Sequence, residues 1–335
     1  MSFSMVKSTS ALGAATMTSR VLGLAREMVY ASFMGQGLVA SAFFYAFTIP
    51  NLFRRLLGEG ALSAAFVPVF TERLQKEGKD AAWRAANAVG TALLMVLAGI
   101  TLVVVGSLLG ALAIANPSQN QRLILQLTAL MFPYMIFVCL AALAMGVLNA
   151  LRHFFVPAFS PVLLNIVLIS SVFLICPYFG TELKTQVFGL GVGVLLGGVV
   201  QLAYQLPQVW REGWRPCWKL DWRDETVGQV ARLIGPGVIG VIAYQINVIV
   251  GRTLGFWVGD YVPAALNYAD RLMELPQGVF GVSLATYMLP TLSAIVARGA
   301  MAEFRAEVGR ALRFLLVITV PATVGLIVLG EPIVR

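Results

Sequence analysis

"ALGAATMTSRVLGLAREMVYASFMG" occupies residues 11–35. A membrane span needs about 20 mostly apolar residues, and this stretch is long enough, yet Arg20, Arg26 and Glu27 stand inside it. An arginine at the centre of a bilayer costs about 2.5–3.5 kcal/mol on insertion scales. Composition decides that the stretch is nonetheless a membrane segment. Of the 335 residues, 59% are hydrophobic and 12% are charged, with a mean hydropathy of +0.82. Soluble domains carry about 25% charged residues. The expected fold class is therefore an all-α polytopic membrane protein. Lys7 ahead of small and apolar residues imitates a signal peptide, but the run is interrupted by Thr and Ser and continues into the arginines. It reads as a retained first helix.

Hydropathy gives nine candidate spans, about 10–34, 38–57, 83–115, 123–149, 157–179, 186–207, 227–255, 262–283 and 308–329. "ALSAAFVPVF" (61–70) is too short to cross and reads as an interfacial piece or a continuation of the second helix. With the N-terminus inside, the inner segments collect most of the 24 lysines and arginines, including the groups Arg54 to Arg84, Arg211 to Arg232 and Arg298 to Arg313. The outer segments hold Arg122, Lys184, Arg252 and Arg335, and Arg20, Arg26 and Arg271 lie deeper within spans. This bias predicts a cytoplasmic N-terminus. It also accounts for most of the net charge of +8 without nucleic acid.

Two stretches repeat. "AFFYAFTIPNLF" (42–53) matches "ALNYADRLMELP" (265–276), and "AFVPVF" (65–70) matches "YMLPTL" (287–292), at offsets of 223 and 222 residues. The copies are six helices apart and so run in the same direction, which predicts two pseudo-symmetric six-helix lobes about an axis along the membrane normal. Shared helix-packing composition is the alternative source of the match. The expected organisation is an N-terminal lobe over 1–215, a cytoplasmic linker over 216–226 and a partial C-terminal lobe over 227–335. Only three spans follow the linker, so the chain is expected to be a piece of a longer protein.

Arg20 and Arg26 are six residues apart, about 240° of helix rotation, and do not share a face. Gly23 between them permits a kink. A water-filled cavity facing both guanidinium groups is one reading; snorkelling, or pairing with Glu27, is the other. Pro50 is expected to bend the second helix near Arg54, Arg55 and Glu59, where plain positive-inside anchoring is the alternative for Arg54. Asp270, Arg271 and Glu274 precede Pro276, and Arg271 can pair with Glu274 at i, i+3 spacing. Arginine forks suit phosphate oxygens, so such a cavity would attract an anionic, phosphate-bearing substrate. Cys139, Cys176 and Cys217 are scattered, and His153 has no ligand partner at metal spacing. No metal, cofactor or catalytic site is expected, and no Walker motif is present.

"SRVLGLAREMVYASFMGQG" (19–37), "AFFYAFTIPNLFRRLLGEGALSAAFVPVF" (42–70), "LNALRHFFVPAFSPVLLNI" (148–166) and "NYADRLMELPQGVFGVSLATYMLPTLS" (267–293) closely resemble the MurJ/MviN family. The resemblance runs from about residue 8 to the end of the chain. It implies a lipid II flippase of the bacterial inner membrane, within the wider multidrug/oligosaccharidyl-lipid/polysaccharide exporter fold. Such a protein moves the undecaprenyl-pyrophosphate-linked peptidoglycan precursor between leaflets by alternating access and performs no covalent chemistry. The family's cavity arginines fall on Arg20, Arg26, Arg55 (with Arg54 beside it) and Arg271; on the residues' own chemistry, Gly23, Pro50 and Pro276 are the candidate bending points. Many relatives carry an aspartate where this chain has Ser41. The resemblance implies lipid II, membrane lipids and other cell-wall synthesis proteins as partners, and no nucleic acid. A flippase for another lipid-linked oligosaccharide, a drug exporter of the same fold, and an inactive membrane scaffold are the competing expectations; a drug exporter should favour acidic over basic cavity residues.

Overall fold

Glycine and proline punctuate the chain where its apolar runs end. The computed structural model describes residues 3–55, 62–217, 224–276, scattered positions between 284 and 296, and 298–330. Among these, every regular element is helical. Helix α1 (Phe3–Met34) stops at Gly35, whose φ of +61° is free of strain only without a Cβ. After Gly37 comes α2 (Leu38–Phe53), which continues through Pro50 and gives way at Arg54–Arg55 to a wider, π-type turn. Residues 62–70 lie in α3 (Leu62–Lys76). On its exposed side Lys76 hydrogen-bonds Glu72 at 2.7 Å and holds that carboxyl below its ordinary range.

The 36-residue α4 (Lys79–Ile114) leads to α5 (Gln119–Met131), which opens on a capping box between Ser118 and Gln121. The span expected as one helix over 123–149 is broken at Phe132–Pro133, after which α6 (Tyr134–Ala150) begins. Proline lacks an N–H and its ring collides with the carbonyl four residues back. The span expected over 157–179 is α7 (Phe155–Leu174) followed by a 3₁₀ turn, Cys176–Phe179. Then come α8 (Leu183–Arg211), α9 (Glu225–Val258), capped by Asp224, and α10 (Val262–Pro276). The rest of the span expected over 262–283 lies outside the described residues, as do Glu59 and the side chains of Glu274 and Pro276. The last helix is α11 (Met301–Val328).

Among the described residues, five helical stretches are long and apolar enough to cross a membrane: Lys79–Ile114, Gln119–Ala150 taken across its break, Phe155–Leu174, Leu183–Arg211 and Met301–Val328. Leu38–Phe53 is a shorter apolar helix. The chain divides into two compact units, Met1–Leu266 and Asn267–Arg335. In the first, α8 packs on α5, α6 and α7, α1 lies on α7, and α3 is held by α4, α6 and α9. Lipid tails are as apolar as leucine, so helices in a bilayer associate through close packing more than through hydrophobic burial. Two devices supply it here. Aromatic rings of Tyr30, Phe43, Phe44, Phe47 and Tyr134 pack around α2, edge-on or tilted except for the parallel-stacked pair Phe43 and Phe47. On α8, Gly189 lets the helix approach the backbone of the turn at Cys176, and Gly193 leaves room for the Ser171 side chain of α7. By contrast, Leu102 and Val103 of α4 are 75% and 69% exposed, an apolar surface suited to lipid.

Candidate functional site

Ser19, Gly23, Arg26 and Tyr30 follow each other on α1 at steps of four, three and four, which places them on one face. That face meets α7. A Cβ on Gly23 would lie 3.9 Å from Asn165 Nδ2, and helical geometry runs unbroken through Gly23. Asn165 Nδ2 donates to the Ser19 carbonyl at 3.2 Å. Its Oδ1 accepts from Arg26 Nη1 at 3.1 Å. Arg26 Nη2 donates to Glu27 Oε1 at 2.5 Å, and the guanidinium carbon lies 5.7 Å from the centre of the Tyr30 ring. The side chains of Arg26 and Glu27 are only 12% and 7% exposed. Measured from Met34 at 1.5 Å per residue, Arg26 is about 12 Å and Arg20 about 21 Å along the axis.

The site is thus an arginine held in the helix interior by one amide, one carboxylate and one aromatic face. The carboxylate neutralises it formally, as the pairing alternative in the sequence requires. The fork is nevertheless not used up. Guanidinium carries five N–H donors; two are engaged as described, and the buried Nε–H has no hydrogen-bond partner among the described residues. A buried donor left unmet costs about 1–3 kcal/mol, so the geometry favours an additional acceptor.

The other expected arginines fall elsewhere. Arg20 is exposed, and among the described residues no hydrogen bond or ion pair joins it to the Arg26 group. Arg54 and Arg55 are half-buried at the end of α2, where Arg54 Nε donates to Asn51 Oδ1 at 2.7 Å. Arg271 is half-buried on the part of α10 in the second unit.

Two residues of this interior escape a reading of the sequence. Asn165 is a lone amide in the apolar run "LLNIV", and a polar residue at bilayer depth is itself the signal. Arg252 counts as an outer-loop charge by its place near the end of an apolar run. It sits instead within α9, where Nη1 donates to the Phe44 carbonyl at 3.1 Å and to Thr48 Oγ1, both on α2. Helix α9 extends past the apolar run, which draws Arg252 into the bundle.

Ser41 is fully buried, and its Oγ accepts from the Ala264 N–H at 3.1 Å. Ala264 is the third residue of α10, so Ser41 caps that helix from across the bundle. Ser41→Ala should lower stability by about 0.5–2 kcal/mol, the usual loss on removing a cap. Ser41→Asp should retain or raise it, since a carboxylate complements a helix N-terminus. Thermal melts of the two variants in detergent check the order. His153 lies in the turn after α6, 2.8 Å from Glu212 Oε1. Among the described residues no group of His, Cys, Asp and Glu could hold a metal.

The family model described as "Lipid II flippase MurJ" matches residues 30–335. The chain belongs to the MurJ family. It is 36% identical to the "Probable lipid II flippase MurJ" of Rhizobium tropici, over 99% of this chain and 63% of the relative. With the "Lipid II flippase MurJ" of Burkholderia cenocepacia it shares 35% identity, over 95% of this chain and 63% of the relative. A solved structure titled "Lipid II flippase MurJ, inward closed conformation" superposes with a TM-score of 0.73 at 26% identity, covering 96% of this chain and 66% of that one. The chain therefore has the MurJ helical membrane fold and spans just under two thirds of the length of these relatives.

Proposed function

We propose that this chain acts in flipping lipid II, moving the undecaprenyl-pyrophosphate-linked peptidoglycan precursor from the cytoplasmic to the periplasmic leaflet of the bacterial inner membrane. Membership of the MurJ family supports the substrate class. The observation that carries the site is Arg26: a buried guanidinium fixed by Asn165 and Tyr30, whose Nε–H has no hydrogen-bond partner among the described residues. In this reading the diphosphate competes with Glu27 for the Arg26 fork. Arg20, Arg54, Arg55 and Arg271 contribute positive charge along the route, and Gly23, Pro50 and Pro276 are bending points as two lobes alternate. No bond in the substrate is broken. An exporter of cationic drugs is less well served, because the one buried carboxylate beside Arg26 is already its ion-pair partner.

The charge bias supports a cytoplasmic N-terminus. The native cysteines offer a direct test: Cys217, between α8 and α9, is exposed, whereas Cys139 and Cys176 are buried. In spheroplasts a membrane-impermeant maleimide should leave Cys217 unlabelled until the membrane is permeabilised. Labelling of intact spheroplasts at Cys217 would reverse the orientation. For transport itself, the chain expressed from its native reading frame should restore growth to cells depleted of their own lipid II flippase. Failure to do so at normal membrane abundance would count against the proposal.

A further inference from the structure

A cavity in the first unit, away from α1 and α7, has no part in the Arg26 site. It measures about 240 Å³ and lies between α4, α6, α8 and the segment that follows α8. Its walls include Trp83, Leu143, Ala144, Leu206, Val209 and Trp214. Residues 83, 86, 87 and 90 of α4 and residues 140, 143, 144 and 147 of α6 face it at i, i+3, i+4, i+7 spacing, so each helix turns one continuous stripe toward it. Such stripes normally interlock; here they leave a gap. The fourth wall is fastened by one amide: Asn87 Oδ1 accepts from Trp214 Nε1 at 2.8 Å, and its Nδ2 donates to the Arg215 carbonyl at 2.9 Å.

We infer that this cavity binds an acyl chain of an anionic phospholipid from the adjacent leaflet. The lining is almost wholly apolar, which excludes a sugar or nucleotide. Ligand pockets for whole small molecules run to about 300–1,000 Å³, so this one holds part of a single chain and not an entire lipid. The mouth marks the depth. Trp210 and Trp214 stand at the end of α8, and tryptophan gathers where hydrocarbon meets headgroups. Arg84, Arg211 and Arg215, all exposed, lie within a turn of the lining residues Trp83, Trp210 and Trp214. Arg215 Nη1 is turned back onto the Trp214 carbonyl at 3.1 Å, which keeps its charge at the rim. An apolar slot with a basic rim at the membrane surface matches a lipid whose tail enters and whose phosphate remains outside.

The probe is phosphatidylglycerol brominated along its acyl chains, titrated into the detergent-solubilised chain, with tryptophan fluorescence as the readout because bromine quenches only in contact. The expected result is a saturable quenching phase, with a midpoint three- to ten-fold lower for brominated phosphatidylglycerol than for brominated phosphatidylcholine. Trp83→Phe, with Trp210 and Trp214 still in place, should reduce the amplitude of that phase. Ala144→Leu and Ala86→Leu, filling the cavity from opposite walls, should abolish it while circular dichroism stays helical. Arg84→Gln with Arg215→Gln should erase the preference for the glycerol headgroup. The proposal is overturned if quenching rises without saturation, if the two headgroups act alike, or if the amplitude of the phase is unchanged in Trp83→Phe. Survival in a folded cavity-filling variant overturns it as well. Should both filling variants fail to fold, the headgroup comparison and Trp83→Phe still decide the matter.

Discussion

Arg26→Ala is expected to abolish growth rescue and to destabilise the protein by about 3–5 kcal/mol, the usual consequence of removing one partner from a buried ion pair. The two losses have different origins. Alanine deletes the cation held 2.5 Å from Glu27 and strands the Asn165 carbonyl oxygen that it satisfied. An unstable protein fails to support growth whatever its site does, so the single variant is ambiguous. The double variant Arg26→Ala, Glu27→Gln is not. Removing the carboxylate charge along with the guanidinium should return most of the stability, because neither buried charge remains. Rescue should stay absent, because the fork that grips diphosphate is gone. Arg26→Lys should be intermediate in stability and poor in rescue: an ammonium keeps the charge but cannot present the planar fork that reaches Asn165 and Glu27 together. Melting curves in detergent beside growth curves distinguish these outcomes. If the double variant regains growth, Arg26 serves only to neutralise Glu27.

The second large effect is expected at Gly193. A Cβ there would lie 2.6 Å from Ser171 Cβ, and closer still to its hydroxyl. Ser171 is 1% exposed and its Oγ donates to the Leu168 carbonyl at 2.8 Å, so it has nowhere to move. Overpacking by a methyl group costs about 1–3 kcal/mol. Gly193→Ala should fall in that range, and Gly193→Leu should prevent the protein from accumulating in the membrane. Ser171→Gly added to Gly193→Ala should recover part of the loss, since the pair collides directly and neighbouring substitutions couple. Equal stability of Gly193→Ala and the parent would mean that α7 and α8 are not this close.

Much of the membrane architecture is legible in the sequence because hydrocarbon imposes a single strong demand, long apolar helices with charge at their ends. The ends of α1 at Gly35 and of α4 near Ile114 follow from that demand and local turn chemistry. The break at Pro133 is less visible: the apolar run continues on both sides, and hydropathy does not register a missing N–H. Pro68, by contrast, sits within α3 without ending it. At the site, Arg20 and Arg26 stand out as charges in an apolar run, but only packing shows that they part company. Arg26 shares its face with Ser19 and Gly23 and meets α7; Arg20 does not. Asn165 is missed by an eye drawn to charge, and Ser41 stands out only through the family resemblance, because each is a small polar residue whose work appears only with its partner, Arg26 in one case and the Ala264 N–H in the other. Arg252 is misplaced by span arithmetic, which assigns a charge near the end of an apolar run to the loop beyond it.

Direct binding of lipid II bears on the central claim most closely. Native mass spectrometry of the detergent-solubilised chain would compare the parent with the Arg26→Ala, Glu27→Gln variant. Charge-assisted hydrogen bonds contribute about 1.5–3 kcal/mol each, and 1.4 kcal/mol is a factor of ten in affinity. Lipid II should therefore bind the variant at least ten-fold more weakly, with phosphatidylglycerol binding at the α4–α6–α8 cavity unaltered. Undiminished lipid II affinity in a folded double variant would show that the Arg26 guanidinium holds the helix bundle together and not the substrate.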